Sequence, residues 1–176
     1  HGAIIESEHV FIKNGLCFWK KKNPNKRYCN IFEVGFGTGL NAFLTYKESK
    51  SITNTKLTYS SVEAHPLKFS ETEQLNYDIK LNDNDRVFNF IHHSEWNSPV
   101  QLSKNFTLIK HNSAIQNFNI EINPDIIYFD PFCYRVQPEM WSKKIINPIV
   151  KSMRKYSVFV TFSSMNILFD LLKDLK

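Results

Sequence analysis

Short apolar segments alternate with longer amphipathic ones along the chain from Tyr28 onward. This alternation is typical of parallel strands joined by crossover helices, and it predicts an α/β fold with a mostly parallel sheet and helices on both faces. The predicted strands are Tyr28–Val34, Lys56–Glu63, Phe106–His111, Asp125–Asp130 and Ser157–Ser163. The predicted helices are Asn41–Glu48, Pro66–Leu75, Phe88–Trp96, Pro138–Lys155 and Asn166–Leu175.

The segment before the first predicted strand has a less regular pattern. Within residues 6–19, the pair Asn14-Gly15 is compatible with a hairpin turn, or with the end of a helix that begins after Ser7. We favour the helix over the hairpin. The basic polar stretch 20–27 that follows is predicted to be a loop.

A chain of 176 residues is long enough for one domain with a sizeable core. Hydrophobic residues make up 42% of it and aromatic residues 14%, which argues against a disordered chain. No apolar run reaches the roughly 18 residues of a membrane span. The three cysteines lie outside any CxxC pair, which disfavours a disulfide framework and a zinc site and fits a reducing cytoplasm. We expect a single domain, with an N-terminal extension at 1–27 and a core at 28–176.

The composition is basic, with a formal net charge of +5 and an isoelectric point near 9.0. Clustered cations attract polyanions, and nucleic acid is the natural candidate. Three basic clusters are candidate phosphate contacts, at 20–27, 143–144 and 151–155. A basic surface without a partner fits the charge equally well, and each cluster is also explained as a solvated face.

Three glycines follow the first predicted strand and precede a helix, at positions 35, 37 and 39. Such a turn brings the backbone close to a ligand, which a Cβ atom would obstruct. Leu40 occupies the position where a dinucleotide-binding fingerprint requires Gly or Ala, so nicotinamide and flavin cofactors are disfavoured. No Walker lysine follows the loop, which disfavours a nucleoside triphosphate.

S-adenosylmethionine fits the same loop. Its carboxylate suits the amides at the helix N-terminus, and Glu33 suits its ammonium group. Glu63 ends the second predicted strand, where a carboxylate can accept hydrogen bonds from both ribose hydroxyls. These features predict a Rossmann-like class I methyltransferase, with a sharp structural turn as the alternative. The predicted cofactor-binding residues are Glu33, Gly35, Phe36, Gly37, Gly39, Asn41, Glu63, Asn112 and Asp130.

Asp130 and Phe132 are the candidate catalytic residues. Asp130 ends a predicted strand at the edge where parallel sheets carry their chemistry, and a carboxylate there can orient an acceptor amine and help to remove its proton. A turn or cap before Pro131 is the alternative. Phe132, with Tyr134 and Trp141, is a candidate for stacking on an extruded base, although core packing explains aromatic residues as well.

Asn112 and the histidines are less informative. Asn112 follows the third predicted strand, where it either contacts the adenine or is an ordinary polar loop residue. His92 and His93 are adjacent, so their side chains point in different directions, and no third ligand follows at a useful spacing. We expect no metal site.

Four blocks of sequence form a combination that is more specific than a glycine loop alone. They are Glu6–Ile12, Glu33–Asn41, Tyr59–Glu63 with Pro66-Leu67, and Asp130–Phe132 with Pro138–Trp141. In these blocks, which span nearly the whole chain, it resembles the methyltransferase domain of the bacterial tRNA 5-methylaminomethyl-2-thiouridine biosynthesis proteins, the MnmC type. Two features depart from the family pattern. Pro131 replaces a small residue, and Cys133–Arg135 replaces a Ser-Pro-Lys-like run.

The resemblance implies methylation of the aminomethyl group on the wobble uridine of certain tRNAs, in the cytoplasm. It also implies that Glu33, Gly35, Gly37 and Glu63 hold the cofactor and that Asp130 faces the amine. Family members often carry an FAD-dependent oxidase domain, whereas these residues resemble the stand-alone methyltransferase form, whose complete fold would add an antiparallel pair of strands. Two alternatives stay open: an N-methyltransferase acting on a small molecule or a protein, and a non-catalytic RNA-binding module of the same fold.

Overall fold

The computed structural model describes residues 2–163 and Leu168. Its centre is a sheet of six strands: β1 (Tyr28–Val34), β2 (Lys56–Glu63), β3 (Pro99–Ser103), β4 (Phe106–Asn112), β5 (Ile126–Phe129) and β6 (Val158–Thr161). The strand order is β3-β4-β2-β1-β5-β6, which places β1 in the interior of the sheet. β3 pairs antiparallel with β4, and all other neighbours are parallel. The predicted α/β class and mostly parallel sheet are confirmed.

The accuracy of the strand predictions follows the burial of each strand. The central strands β1 and β2 have the predicted bounds, because most of their interior positions are buried on both faces and are occupied by apolar, aromatic or small residues. β3 was not predicted from the sequence. This strand forms the edge of the sheet and has no fully buried residue, and the alternation of Val100 and Leu102 with Gln101 and Ser103 is too short to identify a strand.

A continuous helical segment forms the N-terminus, which confirms the helix over the hairpin. It comprises α1 (Ala3–Ser7), a π-helical stretch (Glu8–Cys17) and α2 (Phe18–Lys22). Its buried Phe11, Leu16 and Trp19 pack in the main core, so residues expected to form an extension belong to the core of the domain. Gly15 permits the close approach to the sheet, because a Cβ atom there would lie 3.0 Å from the Tyr128 ring.

The remaining helices differ in how well the sequence predicted them. The helices are α3 (Leu40–Ser49), α4 (Phe69–Thr72), α5 (Tyr77–Lys80), α6 (Val87–His93) and α7 (Lys143–Ser152), with 3₁₀ turns at Ile115–Asn117 and Pro138–Trp141. The prediction of one helix at Pro66–Leu75 was wrong, because this mostly exposed stretch buries too little to support more than single turns. The helix predicted from Pro138 is divided at Ser142, whose extended backbone caps α7. The helix predicted at Asn166–Leu175 lies outside the described residues, Leu168 excepted.

Both faces of the sheet are covered. The N-terminal helix, α3 and α6 pack on one face, against residues such as Ile31, Tyr59 and Tyr128. The 3₁₀ turn before α7 and α7 itself pack on the other, against residues such as Phe32 and Ile127. The cysteines are free thiols, as expected. Because β1, β2 and β5 run in parallel, their carboxyl ends lie side by side at one end of the sheet, at Val34, Glu63 and Phe129.

Candidate functional site

The loop between β1 and α3 needs glycine at three positions for backbone reasons. Gly35, Gly37 and Gly39 have φ angles of 91°, 51° and 70°, in the region that side chains rarely adopt. A Cβ atom on Gly35 would also lie 3.0 Å from the carbonyl oxygen of Asp130. A Cβ atom on Gly37, in contrast, would meet no protein atom within 4 Å. The loop therefore presents an open backbone surface at the edge of the sheet.

Glu63 lies against this loop. Its Oε2 accepts a hydrogen bond from the Gly37 N–H at 3.0 Å, and its Oε1 accepts one from the His65 N–H at 2.8 Å. The carboxylate from the end of β2 and the loop from the end of β1 are thus adjacent, as the sequence analysis expected.

Two further carboxyl groups, those of Glu33 and Asp130, share one hydrogen-bond donor beside the loop. The Asn41 side-chain amide donates to Glu33 Oε1 at 3.1 Å and to Asp130 Oδ2 at 3.0 Å. Asn41 is placed for this role because it lies in the first turn of α3, directly after the glycine loop. One amide group therefore links the end of β1 to the end of β5.

Both of these carboxyl groups hold their protons more strongly than usual. Burial raises the pKa of Glu33 to about 8, and Asp130 adds to the rise, whereas the Ser61 and Tyr59 hydroxyls and the Asn41 amide oppose it. Burial raises the pKa of Asp130 to about 6, and its hydrogen bond from Asn41 lowers it in part. Near neutral pH, Glu33 therefore tends to be protonated and Asp130 ionised.

Phe36 points away from the open surface of the loop. Its ring is buried and contacts the rings of His92 and Trp96, with centroids 6.0 and 5.7 Å away. The ring also borders a small cavity of about 80 Å³ next to Gly37. Phe36 thus anchors the glycine loop to the protein interior.

The sequence analysis missed a brace behind the loop. Lys110 is 1% exposed, and its ammonium group donates to the carbonyl oxygens of Ile91 at 2.6 Å and His92 at 3.3 Å, at the end of α6. His92 Nε2 in turn donates to the Thr38 carbonyl oxygen of the glycine loop at 3.1 Å. Burial, and next the charge of Lys110, lower the pKa of His92 to about 4, so the ring is neutral. An inward-facing lysine in β4 was the available signal for this brace.

The candidate stacking residues that follow β5 differ in how exposed their side chains are. Phe132 is 72% exposed, and Tyr134 is also exposed. Trp141 is buried and packs edge-on against Phe129 at 5.1 Å, so its candidacy for stacking on a base was wrong. Its indole N–H donates to the Phe132 carbonyl oxygen at 3.0 Å and holds the loop in place.

Asn112 lies at the same edge of the sheet, since it pairs with Glu63 in the ladder between β4 and β2. It is exposed, and its backbone N–H donates to Asn97 Oδ1 at 3.1 Å. Within the described part of the chain, no group of three or more His, Cys, Asp or Glu residues is placed to hold a metal ion. No helix within the same residues is long and apolar enough to cross a bilayer.

Comparison with known proteins agrees with this geometry. A family of S-adenosyl-L-methionine-dependent methyltransferases matches residues 89–175. The tRNA 5-methylaminomethyl-2-thiouridine biosynthesis bifunctional proteins MnmC of Leptospira borgpetersenii and Campylobacter fetus are each 29% identical over 92% and 93% of the chain. In these matches the chain is similar to the MnmC methyltransferase-domain type.

The fold of this MnmC-type domain also matches a solved structure. MnmC2 of Aquifex aeolicus superposes with a TM-score of 0.74 at 19% identity, covering 99% of this chain and 55% of the Aquifex chain. The domain spans 26% of the length of the Leptospira protein and 27% of the Campylobacter protein. Its cofactor is S-adenosylmethionine, the cofactor of the matching family.

The two adjacent histidines of the MnmC-type domain provide a test of the brace. We expect His92→Ala to weaken the affinity for S-adenosylhomocysteine roughly five- to tenfold, because the loop loses one hydrogen bond worth about 1 kcal/mol. His93 Nδ1 donates to the Asn89 carbonyl oxygen within its own helix, and its ring packs on Phe69 rather than on the glycine loop, so His93→Ala is the matched control. Calorimetric titration measures both. His92→Gln keeps a side-chain N–H and should recover part of the affinity, whereas equal losses in both alanine variants would contradict the brace.

Proposed function

We propose that this domain transfers a methyl group from S-adenosylmethionine to the aminomethyl group of the modified wobble uridine in tRNA, giving 5-methylaminomethyl-(2-thio)uridine. The observation that carries the proposal is the position of Asp130. Its carboxylate lies at the carboxyl end of β5 and shares the Asn41 amide with Glu33 of the cofactor site. A group that must orient an amine is therefore adjacent to the group that would hold the methyl donor.

Three features of the site fit the cofactor. The space in front of Gly37 is open to an approaching ligand. Glu33 contributes a carboxyl group at the end of β1, and its Oε2 has no hydrogen-bond partner among the described residues. Glu63 already accepts a backbone N–H at the loop, so its carboxylate is placed to accept ribose hydroxyls. When bound, S-adenosylmethionine supplies an activated methyl group on a sulfonium centre.

Asp130 acts on the acceptor amine. An alkylammonium group has a pKa of about 10 and must lose a proton before its lone pair can attack. The ionised Asp130 attracts and orients the ammonium form and accepts one of its protons, which passes on to solvent and leaves a lone pair on the nitrogen. The neutral nitrogen would then take the methyl group as the C–S bond breaks, with S-adenosylhomocysteine as the leaving group.

Phe132 is the residue that we propose stacks on the uridine. Aromatic side chains in RNA-modifying enzymes often stack on bases that have left the helix. Phe132 is exposed next to Asp130, and the Trp141 indole fixes its carbonyl group, so the ring is presented from an anchored backbone. An exposed aromatic ring beside the catalytic carboxylate suits a nucleoside acceptor.

The basic clusters separate into two groups by their place in the fold. The cluster at 20–27 lies beside the starts of β1 and β2, where the Lys56 N–H bonds the Arg27 carbonyl oxygen. The cluster at 151–155 lies beside the start of β5, where Arg154 is 3.9 Å from Asp125. Lys143 and Lys144 lie instead at the beginning of α7, the helix that follows the Phe132 loop along the chain. They are the proposed phosphate contacts, consistent with the net charge of +5 and a cytoplasmic tRNA partner.

A transfer assay tests the proposed substrate. Purified protein is incubated with methyl-labelled S-adenosylmethionine and either tRNA bearing the aminomethyl group or the same tRNA lacking it. We expect label to enter only the tRNA that bears the amine. Equal labelling of both tRNAs, or labelling of neither while a free aminomethyl nucleoside is methylated, would contradict the assignment.

A further inference from the structure

A group of buried polar atoms lies directly behind the glycine loop. Among the described residues, five buried side-chain atoms have no hydrogen-bond partner. They are Glu33 Oε2, Asn41 Oδ1, the Tyr59 hydroxyl, the Ser61 hydroxyl and the Tyr128 hydroxyl. Native proteins pair nearly all such atoms, so a concentration of them in one place indicates an arrangement kept for another purpose.

The sheet register brings these residues together around Glu33. Glu33 pairs with Ser61 on β2 and with Tyr128 on β5. Tyr59 precedes Ser61 by two residues, so both side chains lie on the face of the sheet that carries Glu33. Glu33, Ser61, Tyr59 and Tyr128 are all 0% exposed.

The two tyrosines differ in their relation to Glu33. Burial raises the pKa of the Glu33 carboxyl, and the Tyr59 and Ser61 hydroxyls lower it in part, as donors directed at it would, although neither makes a hydrogen bond in the described structure. Burial also raises the pKa of the Tyr128 hydroxyl, and it is Thr45 on α3 that lowers this pKa in part. Tyr59 and Tyr128 are thus buried tyrosines on the two strands that flank β1, and only Tyr59 acts as a donor towards Glu33.

We propose that Tyr59 and Ser61 are positioning residues for the cofactor, whose hydroxyls donate to Glu33 Oε2 when this carboxylate binds the ammonium group of S-adenosylmethionine. The inference rests on the proposed role of Glu33. It assigns a purpose to two buried hydroxyls that have no partner in the described structure.

The two hydroxyls are needed because ionising the Glu33 carboxyl group at a fully buried position is energetically unfavourable. A fully buried carboxyl group favours its neutral form, which attracts an ammonium group only weakly. Asp130 at the end of β5 disfavours the charge further. Tyr59 and Tyr128 are ionisable groups buried on the same face of the sheet as Glu33, and burial raises the pKa of each, so both stay neutral. Donation from two neutral hydroxyls stabilises the carboxylate at the moment that the ligand requires it.

A comparison of two ligands and matched variants tests the proposal. S-adenosylhomocysteine carries the ammonium group, and 5′-methylthioadenosine has the same nucleoside without it. We expect Tyr59→Phe to weaken S-adenosylhomocysteine binding at least tenfold at pH 7, and to leave 5′-methylthioadenosine binding within twofold. Ser61→Ala should act in the same direction, and it is the second test if Tyr59→Phe does not fold. Tyr128→Phe is the matched control and should change neither affinity by more than twofold.

The pH dependence separates positioning from a general loss of packing. In the wild type the affinity for S-adenosylhomocysteine should increase as Glu33 loses its proton, and in Tyr59→Phe this increase should move to higher pH. Equal effects of Tyr59→Phe and Tyr128→Phe, or equal losses for both ligands, would overturn the proposal. If Glu33→Gln left the affinity unchanged, the role proposed for Glu33 itself would fail instead, so the two failures are distinguishable.

Discussion

Asp130→Asn is expected to lower kcat for the aminomethyl tRNA roughly 100-fold or more, while the affinity for S-adenosylhomocysteine stays within about threefold. Removal of a positioned general base commonly costs 10²- to 10⁴-fold in rate. The asparagine carbonyl can still accept the hydrogen bond that Asn41 donates to Asp130, so the cofactor side of the site is preserved. Single-turnover transfer of labelled methyl groups measures the rate, and calorimetry measures the affinity.

The pH profile of the same variant gives a second readout. Because the pKa of Asp130 is raised to about 6, kcat/KM of the wild type should fall as the pH decreases through this value and Asp130 gains a proton. Asp130→Asn should lack this acid limb. Asp125→Asn is the matched control at the opposite end of the same strand, where Asp125 accepts the Asn30 N–H. It should lower stability and leave the profile unchanged, and an acid limb that persisted in Asp130→Asn would refute the assignment.

Glu33→Gln is expected to stabilise the ligand-free protein and to weaken cofactor binding at least tenfold. Because the pKa of Glu33 rises from the ordinary 4.5 to about 8 on folding, the folded chain holds a proton that the unfolded chain has released between these values. The free energy of unfolding therefore falls as the pH increases from about 4.5 to about 8. Glutamine has no such dependence, and its carbonyl oxygen can keep the bond from Asn41.

The expected gain at pH 8.5 is on the order of 2–4 kcal/mol, which corresponds to roughly 5–15 °C in Tm for a domain of this size. The gain should be small at pH 4.5 and vanish at lower pH, where the Glu33 carboxyl group is protonated in both the folded and the unfolded state. Thermal unfolding at pH 4.5, 6.5 and 8.5 measures the effect, and titration with S-adenosylhomocysteine measures the affinity. A variant that was less stable than the wild type at pH 8.5, or one with undiminished affinity, would show that Glu33 carries no buried charge for the cofactor.

The two carboxyl groups thus have different proposed roles because their environments differ. Glu33 is fully buried and is proposed to bind the ammonium group of the cofactor, whereas Asp130 is partly exposed at the end of β5, where the acceptor is proposed to bind. Asn41 contacts both and keeps them at fixed positions. The buried Glu33 carboxylate destabilises the ligand-free protein, and ligand binding offsets this destabilisation. Ionisable residues with strongly shifted pKa values are typical of functional sites.

Local sequence was sufficient for the features that depend on chain geometry over a few residues. The apolar, aromatic and β-branched residues in the interiors of β1 and β2 predict these strands, because such residues suit a strand covered on both faces. The glycines at 35, 37 and 39 determine the loop because their positive φ angles exclude most other residues. Glu63 was predictable as the acidic residue that ends the next strand and lies at the glycine loop.

Tertiary structure decided the features that depend on residues far apart in sequence. Whether Trp141 stacks on a base or fills the core depends on Phe129 and α7. The brace from Lys110 through His92 to the glycine loop joins three separate elements, and the edge strand β3 exists only because β4 offers it hydrogen bonds. The periodicity of apolar residues indicates which face of a strand or helix is buried. It does not indicate which residue of another element lies opposite, because that pairing is fixed only when the elements come together in the fold.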